Sequence, residues 1–140
     1  MKRKNRPRLS GNTRTKNRGH RAVMRYESKK HPQWEVQIVQ KGGVDLVALN
    51  TKTDKPARFI EVKATGKRNF EWREFEPAQQ RAMRKRNHYV YFVRRAGKAG
   101  QQVKRVKGSQ MKKYFHKKGV KYRYAFPKKS GFHQKGWKNV

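Results

Sequence analysis

Residues 58–65 read RFIEVKAT, an apolar run with a glutamate and a lysine set into it. On a strand, successive side chains alternate faces, so Phe59, Glu61 and Lys63 share one face and Ile60, Val62 and Ala64 the other. A charge in the middle of such a run is costly unless something partners it. Upstream, GGVDLVALN (42–50) is a second apolar run with one acid, Asp45, near its start, and the polar NTKTDKP between the two predicts a hairpin. Pairing would bring Asp45 to Glu61 and Lys63. Two carboxylates beside an ammonium can hold Mg²⁺ through Asp45 and Glu61 and position a water near a phosphodiester, with Lys63 orienting that water or stabilising the developing phosphorane charge.

The spacing by itself is weak, since Glu27-Ser28-Lys29 also fits E-x-K. The competing structural account is that Glu61 and Lys63 neutralise each other on a solvated face while Asp45 caps a turn. What favours a site is context: both acids sit within consecutive apolar strands.

Working outward, HRAVMRYESKK (20–30) has Ala22, Val23 and Tyr26 at helical spacing and Pro32 as its stop. Glu27 follows Val23 by one turn, near the face that meets a sheet, and is a candidate further ligand. WEVQIVQ (34–40) alternates as a strand, and KGG turns the chain into VDLVAL. GKRNFEWREF (66–75) reads as irregular. Pro77 opens a helix in EPAQQRAMRKR, and the aromatic-rich HYVYFVRR (88–95) closes the domain as a strand. The predicted order is α-β-β-β-α-β.

Charge divides the 140-residue chain further. It carries 40 Lys+Arg against 8 Asp+Glu, a formal net charge of +32, which requires a polyanionic partner. Residues 1–20 hold 8 basic side chains and 96–140 hold 14, with no acid in either; residues 21–95 hold 18 basic side chains and all 8 acids. The middle therefore nets +10 and the ends +22. This suggests an arm (1–18), a domain (19–95) and a basic extension (96–140). There is no cysteine for disulfides or thiol chemistry, the five histidines lack paired ligand spacing, and no 18-residue apolar run or signal peptide is visible. The expectation is an intracellular, cytoplasmic protein with no membrane association and no small-molecule substrate.

The combination of GVD (43–45), IEVKAT (60–65), the upstream AVMRYE helix, the downstream EPAQQRAM helix and YVYFVRR resembles the PD-(D/E)xK nuclease superfamily. Within it, residues 19–95 are most similar to the domain at the C-terminus of the plant protein NO VEIN and its prokaryotic relatives, and more distantly to archaeal Holliday-junction resolvases. The resemblance implies a small restriction-endonuclease-like α/β fold with a central mixed sheet. It also implies metal binding by Asp45 and Glu61, catalysis by Lys63, completion of the site by Glu27, and a polar helix residue at Gln79 or Gln80. Val44 stands where the motif's eponymous proline would be. The same fold also serves proteins that only bind or assemble.

The ends argue for nucleic acid independently. The first arm offers Lys2, Arg3, Lys4, Arg6, Arg8, Arg14, Lys16 and Arg18 with almost nothing apolar, so it should be disordered until phosphate orders it. In the last segment Lys112, Lys113, Lys117, Lys118, Lys121 and Arg123 are interleaved with rings, including Tyr122, Tyr124 and Trp137, a composition suited to stacking on splayed bases. The other reading of VKYRYAF (120–126), with Val120, Tyr122, Tyr124 and Phe126 on one face, is that it adds a strand or packs on the domain. Basic ends around a small domain resemble those of ribosomal proteins. The charge thus favours an RNA-binding structural protein, ribosome-associated and bound to rRNA. The alternative is a Mg²⁺-dependent endonuclease acting on structured DNA or RNA through Asp45, Glu61 and Lys63.

Overall fold

The first element is a helix, α1, over Gly11–Lys30. The computed structural model describes residues 11–117 and 122–140. Lys2, Arg3, Lys4, Arg6 and Arg8, and likewise Lys118 and Lys121, lie outside the described residues. Arg14, Lys16 and Arg18 were expected on a disordered arm but occupy the first turns of α1. The face that turns inward repeats every three to four residues through Gly19, His20, Ala22, Val23 and Glu27, all buried.

This helix covers one side of a six-stranded mixed sheet. Its strands are β1 (Trp34–Lys41), β2 (Val44–Asn50), β3 (Lys55–Ala64), β5 (His88–Arg94), β6 (Gln102–Lys107) and β9 (Trp137–Asn139), adjacent in that order. β3 and β5 run parallel and every other neighbouring pair antiparallel. The crossover between the parallel pair contains β4 (Trp72–Glu74) and the short helix α2 (Pro77–Met83). The expected β2–β3 hairpin is present, with Leu46 opposite Ile60. β1 is an edge strand and buries less than its alternation promised: Val36 is buried, but Ile38 is 56 % exposed.

Two expectations change here. The stretch read as irregular contains β4, flanked by the buried Phe70 and Phe75. β5 does not close the sheet, because β6 and β9 extend it from within the segment read as an extension. A second, three-stranded sheet joins β4, β8 (Arg123–Ala125) and β7 (Phe115–Lys117). The chain is therefore an α/β structure in which residues 102–140 are largely part of the body. Lys104 fastens this addition: its buried ammonium donates to the carbonyls of Phe132 (2.6 Å) and Lys135 (2.7 Å). Among the described residues no helix is long and apolar enough to cross a membrane.

Candidate functional site

The site forms where β2 begins and β3 ends. Gly43, at φ +79°, turns the chain into β2, and any Cβ there would strike the carbonyl of Ala78 at 2.5 Å, so the turn lies directly on the start of α2. One step beyond the Leu46–Ile60 pair, Asp45 reaches across to β3, where its Oδ2 accepts the Val62 amide at 2.9 Å. Glu61 lies beside it, 3 % exposed, and its Oε2 receives the Gln79 amide at 3.0 Å and stands 3.4 Å from Lys63 Nζ. Lys63 in turn lies over the Phe75 ring at 4.7 Å. Gln79 also accepts the backbone N–H of Glu76 through its Oε1, so the first turn of α2 clamps the side chain that holds Glu61.

The sequence-predicted trio Asp45, Glu61 and Lys63 is thus brought together, with Gln79 in the position expected of a polar helix residue. Gln80 faces away, bonded to the Phe75 carbonyl. Glu27 is not part of this group. It is fully buried at the other end of α1, where Arg58 Nη1 donates to its Oε1 at 2.7 Å and His31 lies 3.8 Å away. Its role is that of a counter-ion to Arg58, which also donates to the Tyr91 hydroxyl. The helix residue that meets Asp45 is His20, whose Nε2 lies 3.7 Å from Asp45 Oδ2 with both side chains shielded. His20 precedes Glu27 by seven residues, two helical turns on the same face, and that spacing is the signal that could have found it. Gly19 makes the approach possible, since a Cβ there would fall 2.6 Å from that of Ala64.

Electrostatically the two carboxyls diverge. Burial pushes Asp45 up, but the contact with His20, the Val62 amide and the charges of His20 and Lys16 outweigh it and hold Asp45 below its ordinary value. Burial pushes Glu61 up to about 8; Lys63 pulls the other way, and Asp45 adds to the rise. Glu61 Oε1 is buried and meets no hydrogen-bond donor. Among the described residues no group of three or more His, Asp or Glu side chains could hold a metal ion, so any cation would rest on the two carboxylates.

A cleft of about 690 Å³ leads to this group, lined by Lys16, Lys63, Glu71, Trp72, Arg73, Glu74, Glu76 and Gln79. With Asp45 and Glu61 behind Lys63 and Gln79, five of the eight acids in the chain gather at this end of the molecule.

The C-terminal residues expected to contact nucleic acid separate into two groups. Lys112, Lys113 and Arg123 are exposed, Arg123 lying 4.2 Å above the Trp72 ring at the cleft, and Tyr122 is half-buried. Tyr124, in contrast, is 5 % exposed and packs edge-on against Phe75, so its ring cannot receive a base. Trp137 is held between Arg94 (4.1 Å) and Phe70, with its Nε1 donating to the Phe132 carbonyl. Both rings pack into the fold; for Tyr124 this is the strand alternative for residues 120–126, whereas Trp137 was expected to contact nucleic acid. Lys117 belongs to β7 by its backbone.

No curated protein and no solved structure matches the sequence. The family profile described as Protein NO VEIN, C-terminal matches residues 16–106, from the first turns of α1 through β6 and including every residue of the carboxylate–lysine group. With well over half of its length in that match, the chain belongs to the NO VEIN C-terminal domain family.

Proposed function

We propose that this protein is a divalent-metal-dependent nuclease of the restriction-endonuclease-like kind, acting on phosphodiester bonds in structured DNA or RNA. The observation that carries the proposal is Glu61. Its carboxyl is buried beside a second carboxyl, one oxygen lacks any donor, and the other is held by Gln79 and Lys63. A protein with 40 basic side chains had many ways to neutralise two acids, and this arrangement leaves an acceptor unfilled in the interior.

The residues present fit Mg²⁺, which characteristically takes one or two carboxylates and completes its shell with water and substrate phosphate. Asp45 and Glu61 would hold it; bound there, the ion would stabilise phosphoryl charge and lower the pKa of an attacking water. The chain's own groups do the rest. The Val62 amide and His20 fix Asp45, Gln79 fixes Glu61, and Lys63 is positioned to orient the water and offset charge on the phosphorane oxygens. Lys16 and Arg73 line the cleft where the phosphate backbone would lie.

The test is cleavage of branched, single-stranded and duplex substrates with Mg²⁺ or Mn²⁺. Asp45→Asn and Lys63→Met are each expected to lower the rate at least about 100-fold. Absence of metal-dependent cutting on all three substrate classes, or cutting retained by Asp45→Asn, would overturn the proposal.

A second reading rests on a separate observation, the net charge of +32. It makes the protein a structural RNA-binding component, ribosome-associated, with the basic surface on rRNA. The packing of Tyr124 against Phe75 and of Trp137 between Arg94 and Phe70 removes part of its support, because these rings now have a structural reason to exist. Co-sedimentation of the native protein with ribosomal subunits at moderate salt supports this reading; recovery only in the soluble fraction overturns it.

A further inference from the structure

On the far side of α2 from Glu61, the surface opens into a cavity of about 650 Å³ between α2 and the 3₁₀ turn Gly108–Tyr114. Its floor is apolar, formed by the buried Met83, Met111 and Tyr124, with the half-buried Tyr122 beside them. Its rim carries Arg81, Arg84 and Lys112, all exposed, and among the described residues no carboxylate lines it. Arg81 and Arg84 are three residues apart, so their guanidinium groups leave the same side of the chain at the end of α2.

We propose that this cavity receives an unpaired nucleotide of a nucleic-acid strand, its base against Met83, Met111 and Tyr122 and its phosphates against Arg81, Arg84 and Lys112. The two halves of the lining select that chemistry together. A purely apolar ligand would leave three neighbouring cations without an anion, and a bare phosphate would leave the apolar floor wet. A nucleotide has a flat, weakly polar body for the floor and charge spread over its edge for the rim. The volume is that of a small-ligand site. One wall of the cavity, with Arg81, Met83 and Arg84, lies inside the family match, and the other, with Gly108, Met111, Lys112 and Tyr122, lies beyond residue 106, so the cavity is complete only with this chain's C-terminal addition. Gln79 lines the carboxylate cleft and Gln80 the cavity, so both sites border the same turn of α2. Occupancy requires neither metal nor Asp45, so it stands or falls separately from cleavage.

The full chain, labelled with ¹³C at its methionine methyls, is titrated with a single-stranded 12-nucleotide oligonucleotide in the absence of metal. The Met83 and Met111 resonances are expected to shift while that of Met24, on α1, stays in place. Adenosine monophosphate at millimolar concentration should move the same two resonances. Arg84→Ala combined with Lys112→Ala should weaken oligonucleotide binding roughly tenfold, whereas Lys52→Ala with Lys55→Ala, the same loss of charge at exposed positions where β2 leads into β3, should change it less than about twofold. Unmoved Met83 and Met111 resonances, equal losses in the two double variants, or equal shifts with inorganic phosphate or a blunt duplex would each overturn the proposal. Asp45→Asn should leave all the shifts intact.

Discussion

Where α1 lies on the sheet, the core is aliphatic and finely divided: Ala22, Val23, Leu46, Ala48, Ile60, Val62, Val93 and Val103 fill it, with Tyr91 as its buried ring. On the opposite side the filling is aromatic, with Phe70, Phe75, Phe92, Tyr114, Tyr124, Phe126 and Phe132 meeting mostly edge to face and Phe126 stacked on Phe132. The first core is built within residues 22–103 and falls inside the family match; the second takes Tyr114, Tyr124, Phe126 and Phe132 from beyond it. Small branched side chains let a helix approach a sheet closely, as the Gly19–Ala64 contact demands. Loops and short strands cannot approach so evenly, and large rings fill the irregular space that they leave. The site lies where the two coverings meet: His20 comes from the α1 side, and Gln79 and Phe75 from the other.

The strongest way to break this comparison is at Phe132, which is fully buried and stacks on Phe126 at 4.2 Å. Phe132→Ala should destabilise the protein by about 3–5 kcal/mol, measured by urea unfolding. Both coverings share the same strands, so Trp34 on one side and Trp137 on the other should report a single coincident transition. Separate midpoints in single-tryptophan variants would show that the C-terminal addition unfolds independently.

Glu61→Gln addresses the junction itself. A carboxyl whose folded pKa rises from 4.5 to about 8 adds stability that is full below 4.5 and is lost as pH climbs through 8. Glutamine mimics the neutral form. The variant should match the parent near pH 5 and exceed it by pH 9, by an amount on the order of 3 kcal/mol. A constant difference across that range would refute the assignment of the burial cost to this carboxyl.

Gly19→Ala probes the close approach on the aliphatic side, where the new methyl would lie 2.6 Å from Ala64 Cβ. A loss of about 1–3 kcal/mol is expected. If cleavage is established, its rate should fall as well, because displacing α1 withdraws His20 from Asp45. Unchanged stability would mean that the helix can shift freely, and the contact would lose its meaning.

Much of the site was legible because the strand period is two. Once RFIEVKAT and GGVDLVALN are read as paired strands, Glu61 and Lys63 must share a face and Asp45 must lie close by, whatever surrounds them. The family of the domain was likewise readable from its motifs. Helical spacing said which face of α1 turns inward, but His20 and Glu27 lie two turns apart on that face. Only the antiparallel lie of α1 against β3 decides that His20 meets Asp45 and Glu27 meets Arg58. The C-terminal rings were equally undetermined, since alternating Tyr, Phe and cations suit stacked bases and a buried core alike. Their place was decided by the face of β5 that carries Val90 and Phe92 and by Lys104, contacts between residues far apart in the chain that no local pattern encodes.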